Sequence, residues 1–220
     1  MQLYDLTKKG TIIVGQMRSG TQHLLSSITI ELEKNNIQTS NNGEYFDDIF
    51  NEDIYLGPKR YSFFNIINKI KEQDKGTAYS IGTIVYTSTF DMISQHHENY
   101  KYFSENYHLV KLIRKDIMAH FMSTILFRAS SAKHSGILSL DEIKINIPYK
   151  PLIDELVLFM NERLEIERFK AGTTVYYEDL SNYQSVLSKN NYGISPKDFF
   201  ANYDEVFNYF KQLNITHHER

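Results

Sequence analysis

The sequence predicts a three-layer α/β/α domain on a mainly parallel central sheet. Two observations carry that expectation. Short β-branched runs at 11–15, 78–86, 109–113 and 173–177 alternate with longer stretches of helical period. That order places helices on both faces of a parallel sheet. The chain also has 220 residues, a length that suits one domain spanning 1–220 and lets it bury such a sheet.

The elements follow in order. Residues 11–15 read as a buried strand, and 20–35 as a helix with apolar positions at Leu24, Leu25, Ile28 and Leu32, closed by Asn35 and Asn36. Ile37 to Thr39 is expected to be a short second strand, with Asn41-Asn42-Gly43 as a turn after it. Phe64, Ile67 and Ile70 give a helical period over 61–73, and Ala78 to Tyr86 reads as a strand. Leu109 to Ile113 is a further strand, and 116–129 a helix carrying Ile117, Phe121 and Ile125. Residues 130–150 are expected to form a long flexible loop or lid. An amphipathic helix follows at 151–169, then a strand at 173–177, one or two short helices between Pro196 and Leu213, and a polar tail at 214–220.

Composition narrows the function. Hydrophobic content of 41% and charged content of 23% are ordinary for a globular protein. A net charge of -3 supplies no bulk basic field for nucleic acid, although a local basic pocket remains compatible with it. The chain has no cysteine, so disulfides, thiolate metal sites and cysteine nucleophiles are excluded. The polar start from Met1 to Gly10 lacks the apolar core of a signal peptide, and no apolar run approaches a membrane span. A cytoplasmic location is the expectation.

The most informative stretch is Thr11-Ile12-Ile13-Val14-Gly15-Gln16-Met17-Arg18-Ser19-Gly20-Thr21. A strand feeds a glycine-bounded loop, and a helix begins behind it. Backbone N–H groups, the helix dipole and the Arg18 cation would converge there on one phosphate. Gly15 and Gly20 have the glycine spacing of a nucleotide-triphosphate loop, but Thr21 and Gln22 stand where that motif needs Lys and Ser or Thr. An ATP-dependent nucleotide kinase is thus the disfavoured alternative. A non-catalytic nucleotide-binding protein on the same fold is the other.

Arg18-Ser19-Gly20-Thr21 after a strand resembles the 5′-phosphosulfate loop of sulfotransferases, most closely the bacterial carbohydrate, trehalose-type enzymes. The resemblance implies a P-loop-like loop and 3′-phosphoadenosine 5′-phosphosulfate (PAPS) as co-substrate, with no metal. Donor contacts would come from Gln16, Met17, Arg18, Ser19, Gly20, Thr21 and Gln22. A second patch agrees. Arg114-Lys115-Asp116 after the 109–113 strand, with Ser123 in the next helix, resembles the family's 3′-phosphate element. Arg114 and Lys115 both qualify as the ligand, with Arg114 preferred for its planar fork.

A third patch, Tyr176-Tyr177-Glu178-Asp179-Leu180, resembles a late strand of the family. Glu178 and Asp179 are expected to tie neighbouring loops. The fourth, Gly43-Glu44-Tyr45-Phe46, resembles the segment that holds the catalytic glutamate of the trehalose-type enzymes. Glu44 is the candidate base, with His120 and His134 next in line, and Arg18 would steady the leaving phosphate. The resemblance spans the element order from about 11 to 180, but the Gly- and Lys-rich downstream element of the cytosolic animal enzymes is not visible. It implies an acceptor hydroxyl on a carbohydrate, glycolipid or small metabolite.

Overall fold

A computed structural model describes residues 2–16, 18–44, 70–72, 76, 78–85, 97–131, 145–183 and 200–213. Five strands form one sheet: β1 (Gly10–Gly15), β2 (Thr39–Glu44), β3 (Tyr79–Val85), β4 (Tyr107–Ile113) and β5 (Thr173–Tyr176). Their spatial order is β2-β3-β1-β4-β5, and every pairing is parallel. The helices are α1 (Thr21–Lys34), α2 (His97–Asn106), α3 (Ile117–Ser131), α4 (Tyr149–Arg168) and α5 (Tyr203–Gln212), with a 3₁₀ turn at Tyr177–Asn182.

β1 is buried at all six positions because both its faces and both its edges are covered. Ile12 and Val14 join Ile84, Leu109, Phe103 of α2 and Ile166 of α4 in one core. Ile13 points the other way, into a core with Leu24, Leu25, Ile28 and Leu32 of α1. Period-2 alternation in one strand thus feeds two apolar layers. A third cluster packs Phe121 and Met122 of α3 against Leu156 and Phe159 of α4 and Phe210 of α5.

Local chemistry sets the element ends. Asn36 adopts φ 59° after α1, a left-handed exit that Asn tolerates. Asp116 caps α3, its Oδ1 accepting from Ala119 N–H at 2.9 Å. Pro148 caps α4, and Pro151 falls in the first turn, where a missing N–H costs nothing.

Two expectations need correction. Asn41-Asn42-Gly43 is not a turn; it lies inside β2, and the register against β3 shifts between Asn41 and Gly43. β2 is an edge strand, where a bulge absorbs residues that a central strand would reject. α2 has no counterpart in the sequence expectations, because its surface is polar and Phe103 is its one fully buried side chain among those described. Of the helix expected over 61–73, only 70–72 are described, and these are helical. Most of the expected 130–150 loop lies outside the described residues.

Candidate functional site

The sheet topology marks one crevice. From β1 the chain runs through α1 towards β2 on one side of the sheet, whereas from β4 it runs through α3 and α4 to β5 on the other. β1 and β4 are neighbours, with Gly15 opposite Leu112. Connections leaving adjacent parallel strands in opposite directions open a gap at their carboxyl ends, the usual place for a ligand in such sheets. Gln16 and Arg18 to Gly20 leave β1 at that gap, and Arg114 and Lys115 leave β4 at its other wall.

The first wall is a tight turn. Ser19 N–H returns to the Gln16 carbonyl at 3.1 Å. Arg18 has φ 63° and Gly20 φ 95°, two left-handed residues within three. Gly20 is the N-cap of α1; no side chain caps that end, and no acidic residue occupies its first turn. The helix N–H groups and the positive end of its dipole therefore face the gap with no side-chain cap among the described residues. Ser19 is fully buried, and its Oγ has no hydrogen-bond partner among the described residues. Gly15 leaves room for it: a Cβ there would sit 2.5 Å from Ser19 Oγ.

Arg18 is exposed and reaches across the gap, its Nε donating to Ser123 Oγ at 3.4 Å. Two residues singled out 105 positions apart in the chain thus meet. Gln16 differs from expectation. It is buried, and its side-chain amide donates to the Phe159 carbonyl of α4 at 3.0 Å, so the side chain fastens the loop to α4. Thr21 is buried at the start of α1 and Gln22 is exposed. Met17 lies outside the described residues.

The second wall is held by the segment after β5. Glu178 accepts Lys115 N–H at 3.0 and 3.1 Å and Asp116 N–H at 3.2 Å, which meets the expectation that this carboxylate ties a loop. Arg163 of α4 donates to the Arg114 carbonyl at 2.7 Å. The Arg114 guanidinium lies over the Tyr177 ring, 4.4 Å from its centroid, and Lys115 Nζ lies over Tyr176 at 4.1 Å. Arg114 is half-buried and Lys115 exposed, so the arginine is the better-fixed cation.

Glu44 ends β2 at the carboxyl side of the sheet, opposite Thr83 of β3, which is itself opposite Ile13 of β1. Two strand spacings put its backbone ~10 Å from β1. Its side chain lies outside the described residues. His120 is buried edge-on against Phe159, with ring centroids 5.0 Å apart, as a core histidine. His134 lies outside the described residues.

The aromatic supports of Arg114 and Lys115 escaped the sequence reading. The signal was present as two tyrosines before Glu178, but it acquires meaning only once Ile113 is paired with Tyr176. A cavity of about 510 Å³ lined by Lys8, Lys9, Tyr79, Ser80, Tyr102 and Tyr107 sits at the amino end of the strands, away from Arg18, Arg114, Lys115 and Ser123. Among the described residues no helix is long and apolar enough to cross a membrane. No protein-family model matches the chain, and no curated protein matches it significantly.

Proposed function

We propose that this chain is a PAPS-dependent sulfotransferase, acting on a hydroxyl of a carbohydrate, glycolipid or small metabolite. One observation carries the reading: a helix N-terminus that no side chain caps among the described residues, behind Arg18, faces Arg114 and Ser123 across the crevice between β1 and β4. That pair of walls suits a ligand with two separated phosphates. The loop at 16–20 would act as a P-loop-like cradle for the 5′-phosphosulfate, while Arg114 and Ser123 take the 3′-phosphate.

In this reading the acceptor oxygen attacks sulfur as the bond from sulfur to the phosphate oxygen breaks. The acceptor proton passes to Glu44, and Arg18 holds the charge that develops on the departing phosphate. The products are a sulfate ester and adenosine 3′,5′-bisphosphate. Every charge shift is met by a side chain or by backbone N–H groups, so the step needs no metal.

The test compares thermal stabilisation by adenosine 3′,5′-bisphosphate, 5′-AMP and Mg-ATP, followed by transfer of labelled sulfate from PAPS to a panel of sugars and lipids. A ligand at one hundred times its Kd adds ~2.7 kcal/mol. The bisphosphate is expected to stabilise most. Stabilisation by Mg-ATP alone would overturn the reading in favour of a kinase. Binding of the bisphosphate without transfer to any acceptor would favour a non-catalytic binding protein.

A further inference from the structure

We propose that Tyr177 is a positioning residue that ties the two walls of the crevice together and so sets how strongly the site prefers a ligand with a second phosphate. The inference rests on the sulfotransferase reading for the identity of that ligand. Its structural basis stands apart from it.

One ring touches both walls. On one side, a Cβ built at Gly20 would lie 2.8 Å from Tyr177 Cδ2 and 3.2 Å from Cε2, so the ring edge occupies the space a side chain there would need. Gly20 is the N-cap of α1 and closes the first loop. On the other side, the ring carries the Arg114 guanidinium at 4.4 Å, inside the range in which a cation is drawn to an aromatic face. Tyr177 follows β5 directly, and the Ile113–Tyr176 pairing brings it beside Arg114.

The backbone of the second wall is already fixed without Tyr177. Glu178 takes the N–H groups of Lys115 and Asp116, and Arg163 takes the Arg114 carbonyl. The ring therefore acts on a different quantity, the direction of the Arg114 side chain relative to Gly20. An arginine fork loses much of its strength for phosphate when its plane is misdirected. A smaller or non-planar side chain at 177 would release the guanidinium from its platform and let the 3₁₀ turn settle towards Gly20. Both changes move the second cation with respect to the first loop.

The experiment measures Kd by calorimetry for adenosine 3′,5′-bisphosphate and for 5′-AMP, in wild type, Tyr177→Phe and Tyr177→Leu. Wild type is expected to bind the bisphosphate at least about tenfold more tightly. Tyr177→Phe keeps the ring and is expected to keep that ratio. Tyr177→Leu is expected to bring the two Kd values within about threefold of each other, mainly by weakening the bisphosphate. General destabilisation would weaken both ligands alike and leave the ratio intact.

A preserved ratio in Tyr177→Leu would overturn the inference and leave the sulfotransferase reading standing. Loss of the ratio in Tyr177→Phe as well would assign the effect to the hydroxyl and overturn the ring-platform account. Equal Kd values in wild type would remove the sulfotransferase reading and this inference with it. Should Tyr177→Leu not fold, Tyr177→Met replaces it, its unbranched and flexible chain adapting to the space beside Gly20 without a ring face, under the same criteria.

Discussion

Replacing Gly20 with Ala tests how tightly the first wall is built. Gly20 has φ 95°, in the left-handed region, where a Cβ costs about 1–2 kcal/mol. The new methyl would also lie 2.8 Å from Leu180 Cδ1 and 2.8 Å from Tyr177 Cδ2. Such overlap in a packed site adds about 1–3 kcal/mol. Stiffening of the unfolded chain returns about 0.4–1 kcal/mol. The net loss is about 2–4 kcal/mol, or roughly 4–16 °C in Tm for a domain of this size. Thermal unfolding followed by circular dichroism at neutral pH measures it. Gly20→Asn separates the causes, because Asn tolerates the left-handed backbone and still carries the Cβ; its Tm is expected between wild type and Ala. A Gly20→Ala Tm within about 2 °C of wild type would refute both the turn geometry and its packing against the 3₁₀ turn.

Arg18→Ala is expected to weaken binding of adenosine 3′,5′-bisphosphate roughly ten- to hundredfold by calorimetry and to lower turnover with it. Glu44→Gln should leave bisphosphate Kd within about twofold while kcat falls about a hundredfold or more; wild-type turnover would move the base to another residue. Glu178→Ala removes the acceptor of the Lys115 and Asp116 N–H groups and should cost about 1–3 kcal/mol in denaturant unfolding. Burial raises the Tyr79 phenol above its ordinary 10.0. A raised folded-state value means that this stabilisation is complete below pH 10.0 and is lost as pH rises through the folded value. Tyr79→Phe should flatten that alkaline decline and cost about 0.5–1.5 kcal/mol below it, through the lost hydrogen bond to Thr11.

Elements with a strong period were legible before folding. The buried run of β1, the apolar stripe of α1 and the strand and helix that carry Arg114 and Ser123 all lie where the residue pattern places them. Elements that owe their state to neighbours were not. The Asn41–Gly43 stretch has turn chemistry and becomes a strand only because β3 offers it a free edge. α2 has a polar surface and docks through Phe103, with the partly buried Tyr100 and Tyr102 packed beside it.

The same division runs through the candidate site. Gln16 belongs by position to the loop after β1, yet its amide faces Phe159, 143 residues away, a partner that no local pattern could name.

Residue order by itself determined that a glycine-bounded loop with an arginine would follow a buried strand, because local sterics and hydrophobic period act over a few residues. The tertiary structure decided that β1 and β4 would be neighbours with diverging connections, that Arg18 would meet Ser123, and that one tyrosine ring would stand between Gly20 and Arg114. Those relations depend on strand order and register, which are settled by packing across the whole sheet and leave no short-range trace in the chain.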